Sequence, residues 1–274
     1  MKRVLISTIF VLVYSFTTAQ DSFLDPAVNS NIAESNQQAG TLDDNPESGN
    51  IFSLTDKDGN SYNVVRIGSQ LWMGENLRTT KFNDGTEIPL VSDYRSWSSL
   101  SRPGYCWYNN DVESYRTSYG ALYNGYTVGT GKLCPSGWHV PTVEDWITLT
   151  GYLGEKTAGG KLKETSKWMS PNTGATNEVG FKALPGGSRG NLGSFMDEGL
   201  RGHWWSSTEY EETNIRNHSM SYSQSNVAAS SDNKKSGLSV RCVRNWSSPG
   251  MASSNPGNPE DQVHGENIKP AEDN

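Results

Sequence analysis

Apolar positions in this chain keep a regular spacing only over short stretches, so the pattern marks a few elements and leaves much between them. Residues 51–55 and 61–66 are β-prone runs on either side of Asp56-Lys57-Asp58-Gly59-Asn60, and Asp-Gly between two such runs signals a hairpin. Asp56, Asp58 and Asn60 share the spacing of the start of a calcium loop. Gly59 is out of register for an EF-hand, however, and no bidentate Glu follows where one is needed, so the turn reading stands. A third short strand is expected over residues 70–73. The one clear helix begins at Thr142, which can cap orphan amides, while Glu144 and Asp145 set negative charge in the first turn. Val143, Trp146, Leu149 and Leu153 then recur at helical spacing as a stripe to be buried, and Gly154 is the stop. A shorter helix is expected over 161–165 and brief strands around 181–184, 204–208 and 238–244. The pattern predicts a mixed α+β domain, with small antiparallel sheets, one main helix near 142–153 and many loops.

The two ends of the chain read differently. Lys2 and Arg3 precede an apolar run over 4–16 and the small residues Thr17, Thr18 and Ala19, the order of a secretory signal peptide. Cleavage after Ala19 is expected, because the apolar run is short for a membrane anchor. The first cysteine of the chain is Cys106, so no thiol stands beside that cleavage site to carry a lipid. Residues 20–50 hold six acids and no Lys or Arg, and residues 246–274 hold five acids and one lysine. Both are rich in Asn, Ser, Gly or Pro and too poor in apolar surface to offset their chain entropy, so they read as disordered acidic linker and tail. The formal charge of −7 becomes −9 without Lys2 and Arg3, and removing the flanks' −6 and −4 leaves +1 for residues 51–245. The expected domain, 51–245, is thus nearly neutral, and it carries no basic footprint for nucleic acid. It holds all three cysteines and eight of the nine tryptophans, material for a core built on few but large side chains.

Eight blocks stand out in order: IGSQLWMGENLRTTKFNDGTEIP, GYCWYNND, YGALYNGYTV, GKLCPSGWHVPTVEDW, AGGKLKET, PNTGATNEVGFKALPGG, WWSSTEY and GLSVRCVRN. Together, from about Thr55 to Asn245, they closely resemble the FISUMP family, the Fibrobacter succinogenes major paralogous domain. That resemblance implies an exported module of bacteria with outer membranes and names no reaction. More distantly, the Trp138–Trp146 block is similar to the helix start of formylglycine-generating-enzyme-like domains, and residues 237–243 to their final strand. Both relate to the C-type lectin-like fold, in which a cysteine near a helix pairs with one on the last strand. This fold-level analogy implies a small sheet carrying long irregular loops.

Three cysteines in an exported chain allow one disulfide, with three pairings open to it. The lectin-like resemblance favours Cys134 with Cys242, which leaves Cys106, between Tyr105 and Trp107, as a buried free thiol. The formylglycine-generating analogy would require redox-active or copper-binding cysteines close together near the C-terminus, and only Cys242 is there. His139, His203, His218 and His264 form no metal-binding spacing, and no phosphate loop, nucleophile elbow or dinucleotide fingerprint is present. Gly159-Gly160 and Gly186-Gly187 read as turns. Two constellations suggest binding. Trp204 and Trp205 followed by Glu209 combine ring faces for stacking with an acceptor for sugar hydroxyls. A calcium ion held by Asn177, Glu178 and backbone carbonyls is the other; no further cofactor is implied. The resulting expectation is a non-catalytic binding module, secreted or in the cell envelope (periplasm or outer surface), recognising a glycan or a surface protein. The rival readings are a polysaccharide-active hydrolase using Glu209 and a purely structural surface protein.

Overall fold

A computed structural model describes residues 52–246. The expected signal peptide (1–19) and acidic linker (20–50), and all of the acidic tail beyond Trp246, lie outside the described residues. In chain order the strands and α-helices are β1 (Phe52–Thr55), β2 (Ser61–Ile67), β3 (Gln70–Met73), α1 (Tyr94–Ser98), β4 (Tyr105–Cys106), α2 (Val112–Tyr115), β5 (Leu122–Asn124), α3 (Gly125–Val128), α4 (Val143–Leu153), α5 (Ala158–Leu162), β6 (Gly186–Arg189), β7 (Phe195–Glu198), β8 (Arg201–Glu211), β9 (Asn214–Ser221), β10 (Ala228–Asn233), β11 (Gly237–Leu238) and β12 (Val243–Asn245). The architecture is mixed α+β. One sheet has the order β1-β2-β3-β12, and the other runs β10-β9-β8-β6-β11-β5-β4 with β7 paired to β6.

The β1–β2 hairpin forms as the Asp-Gly signal predicts, with Gly59 at φ +78° and its amide on the Asp56 carbonyl. The Asp56 carboxylate accepts from the amides of Asp58 and Asn60 and from the Tyr62 hydroxyl. It is saturated by its own loop. Helix α4 is capped by Thr142 and Asp145, each bonding the other's backbone amide, which satisfies orphan donors at the helix start. Trp146, Leu149 and Leu153 are buried as the stripe requires, while Val143 is only half-buried.

Adjacent tryptophans on β8 face opposite ways, because side chains alternate across a strand. Trp205 joins Tyr62, Tyr105, Tyr123 and Leu238 in one cluster, and Trp204 joins Trp72, Trp146, Phe181 and Met220 in another. The second sheet therefore divides two aromatic cores. Cys134 and Cys242 are disulfide-bonded within the first cluster. The bond staples the segment before α4 to the residue before β12, across 108 positions of sequence. Closing so long a loop stabilises by roughly 4 to 5 kcal/mol on chain-entropy grounds.

Several local expectations are corrected. Residues 181–184 form no strand, only a bridge from Ala183 to Lys163, and the short helix α5 starts three residues earlier than position 161. The run 238–244 is broken into β11 and β12, at the point where the chain passes from one sheet to the other. The break holds Arg241, which is buried and donates to the carbonyls of Phe181 and Lys182 and to Asn76 Oδ1. The glycine pairs are not turns. Gly159 and Gly160 lie inside α5, where an added Cβ would stand 2.3 Å from the carbonyl oxygens of Asn226 and Gly174 respectively. Gly187 lies in β6 at φ +63°, with Met196 O equally close.

Loops without regular pairing leave many carbonyls to satisfy, and three buried cations meet part of that need. Lys163 Nζ donates to the carbonyls of Thr173, Ser221 and Gln224, each at 2.9 Å. Arg241 ties 181–182 to the core as above, and Arg189 does the same for the segment before α1. None of the three forms an ion pair with a carboxylate among the described residues.

Candidate ligand-binding surface

Helix α1 is short and exposed, and only Trp97 of it is buried. Asp93 starts it, accepting from the Ser96 amide at 2.8 Å and from its hydroxyl at 2.7 Å; these bonds hold the Asp93 carboxyl below its ordinary range. Arg189 fixes the segment from beneath. Its guanidinium donates to Val91 O (2.7 Å), Ser92 O (2.9 Å) and Gly193 O (2.9 Å), and it lies 4.5 Å from the centroid of the Trp97 ring. One buried side chain thus ties α1 to the tip of the β6–β7 hairpin. That tip packs closely on the helix: Gly193 has φ +97°, and a Cβ there would come within 2.9 Å of the Tyr94 ring.

The tie leaves apolar side chains facing outward. Tyr94 is 52% exposed, Leu192 64% and Met196 44%, and Leu90, just before Val91, is 55% exposed. Beside them opens a cavity of about 290 Å³ lined by Val91, Ser96, Ser99, Leu100, Ser101 and Arg102. Beneath the surface, Cys106 is fully buried with Trp97, Leu100 and Leu122. Burial pushes its thiol up to about 12, against the opposing pull of Arg189, so it is protonated and unreactive.

The residues singled out from the sequence do not assemble into a site. Trp204 and Trp205 are 0% exposed, and their indole N–H groups donate to Asn76 Oδ1 and Tyr123 O. The stacking role expected of them is corrected: rings placed on the two core faces of β8 offer no face to a sugar. Glu209 is exposed near the β8–β9 turn and pairs with Lys234 at 2.8 Å. Asn177 sits at φ +49°, where its Oδ1 accepts from the Lys182 amide and its Nδ2 donates to Glu164. Glu178 pairs with Lys161. Both are engaged in loop contacts, and among the described residues no group of three or more His, Cys, Asp or Glu side chains is gathered to hold a metal.

Two His–Asp pairs escaped the sequence reading. His139 Nε2 lies 2.9 Å from Asp145 Oδ2, the oxygen that also takes the Thr142 amide and hydroxyl. Here the pair extends a helix cap. His203 Nε2 lies 3.2 Å from Asp197 Oδ2, and Asp197 sits at φ +67°. The spacing His139-x5-Asp145 was a readable signal; Asp197 and His203 meet only because β7 and β8 are neighbours. Neither histidine has a hydroxyl or thiol in hydrogen-bond contact among the described residues, so neither pair forms an activated nucleophile.

Residues 65–244 match the Fibrobacter succinogenes major domain. The chain belongs to this family. No curated protein and no solved structure matches it significantly. Within this Fibrobacter succinogenes major domain, the recognisable blocks and the exposed surface occupy different parts of the chain. Block residues such as Trp72, Cys134, Trp146, Trp205 and Val240 are core. Residues 90–103 and 188–203 fall between blocks, and they carry Leu90, Tyr94, Leu192, Met196 and the whole lining of the cavity. Residues that build the scaffold carry the resemblance, and the surface it presents must be read from the structure.

Proposed function

We propose that this domain is an exported, non-catalytic binding module that recognises a glycan with the surface formed by α1, the 99–102 turn and the β6–β7 tip. The observation that carries the reading is the rigidly tied cluster of Tyr94, Leu192 and Met196 next to a hydroxyl-lined cavity. An exposed tyrosine offers a ring face to a sugar's C–H face, and serines offer partners for its hydroxyls. The disulfide supports an oxidising compartment, as does the leader-like N-terminus, and among the described residues no helix is long and apolar enough to cross a membrane. A C-type lectin-like scaffold is part of the proposal, supported by the staple between the segment before α4 and the last strand and by the loops it carries.

Retention of the full chain on a panel of immobilised envelope and plant polysaccharides tests this. The wild type is expected to be held by at least one polymer, and Tyr94→Ala combined with Leu192→Ser is expected to release it without lowering the melting temperature. Retention of the double variant equal to wild type would move the site elsewhere. Binding to no polymer, with capture of a single envelope protein instead, would replace the glycan by a surface protein.

A further inference from the structure

The cavity beside α1 has a chemistry more specific than its exposed apolar neighbours. Ser96 commits its hydroxyl proton to Asp93 Oδ1 at 2.7 Å, and Ser99 commits its own to Ser96 O at 3.0 Å. Each oxygen therefore keeps lone pairs for an incoming O–H, as a hydroxyl donates once and accepts twice. Ser101 has no side-chain partner among the described residues, so its hydroxyl is free to donate. Val91 and the buried Leu100 supply an apolar wall.

Charge completes the picture. Arg102 lines the cavity, and its guanidinium has no hydrogen bond or ion pair among the described residues, although its carbonyl is held by Asn124 Nδ2 at 2.8 Å. An anchored backbone thus presents an unpaired guanidinium. Arg95 lies on α1, and Lys235 Nζ donates to Ser98 O at 3.0 Å. The acid of this segment, Asp93, is already taken by the α1 cap. A chain whose formal charge is −7 therefore carries Arg102 in the cavity lining, Arg95 on the adjoining helix and Lys235 bonded to that helix's last residue, while the one acid of residues 90–103, Asp93, is satisfied.

From this juxtaposition we infer that the cavity takes an acidic sugar unit: Arg102 grips its carboxylate or sulfate, and Ser96 and Ser99 accept from its hydroxyls. The planar fork of arginine matches two oxygens of such a group, where a lysine would present a point charge. The inference rests on the glycan-binding reading and narrows it to anionic polymers.

Affinity electrophoresis of the full chain in gels containing polygalacturonate, its carboxyl-reduced neutral counterpart or dextran sulfate tests the inference. Among the described residues the Arg102 side chain has no partner to lose, so R102Q should fold as wild type. Wild type is expected to be retarded by an acidic polymer and not by the neutral one. R102Q is expected to weaken that binding roughly tenfold or more, and R102K to restore part of it. Retardation by polygalacturonate assigns a carboxylate, and retardation by dextran sulfate alone assigns a sulfate. K156Q, which removes an exposed cation in the α4–α5 loop, should change nothing. Equal loss in K156Q and R102Q would reveal adsorption to a polyanion and overturn the inference. Equal retardation by neutral and acidic polymers, unchanged in R102Q, would also overturn it and leave the glycan-binding reading standing. Retardation by no polymer would overturn both.

Discussion

Single buried groups set how this domain responds to acid. His218 lies on β9, 5% exposed, stacked on Trp146 with ring centroids 4.7 Å apart. Burial, with Arg216 adding to it, pulls its pKa down from 6.5 to about 4. The folded state thus binds fewer protons than the unfolded chain between those values, so stability rises with pH across the window. The contribution is complete above about 6.5 and is lost as pH falls to about 4, a change on the order of 3 kcal/mol. Asp232, whose carboxyl burial raises, acts in the opposite sense. Asp58, Asp145 and Asp197, all held low, lose their contribution only below the ordinary carboxylate range. Urea unfolding of wild type and His218→Phe at pH 4.5 and 7 separates these terms. Wild type should lose more stability than the variant on acidification, whereas equal losses would show that His218 does not titrate in this window.

Glycines show what the elements could and could not reveal in sequence. Gly151 lies within α4 with nothing within 4 Å of an added Cβ, while Gly160 lies within α5 with Gly174 O only 2.3 Å away. Gly151→Ala should therefore stabilise by up to about 1 kcal/mol through helix propensity. Gly160→Ala should destabilise by about 1 to 3 kcal/mol or more, because backbone must move. Thermal unfolding of the two variants checks the opposite signs. Nothing in Gly159-Gly160 marks a helix crossing close to two loops, and so it read as a turn. The β1–β2 hairpin and α4 were legible because each is decided locally, by Asp-Gly and by the Thr142–Asp145 cap. Helix α1 was not, since residues 92–101 carry no apolar period and owe their shape to Asp93 at one end and Arg189 below. A buried arginine without a carboxylate has no signature in sequence, because Lys and Arg are ordinarily exposed.

For the whole molecule, the Cys134–Cys242 bond is the disulfide among the described residues, and the lectin-like resemblance had pointed to it. Cys134→Ser and Cys242→Ser should each cost about 2 to 5 kcal/mol, and the double variant little more than either, because one bond is lost in all three. Cys106 should resist alkylation in the folded protein; its rapid labelling would contradict the buried placement. The candidate site was less legible than the scaffold. Trp204, Trp205 and Glu209 are close in sequence, but strand alternation turns both rings into the cores and leaves Glu209 on Lys234. The surface now proposed joins residues about a hundred positions apart through Arg189. Amide shift mapping of the isotope-labelled chain, titrated with oligosaccharides of whichever polymer retains it, tests that surface most directly. Perturbations are expected to concentrate in residues 90–103 and 189–196. Perturbations centred on the β8–β9 turn around Glu209, with those two segments unchanged, would contradict it.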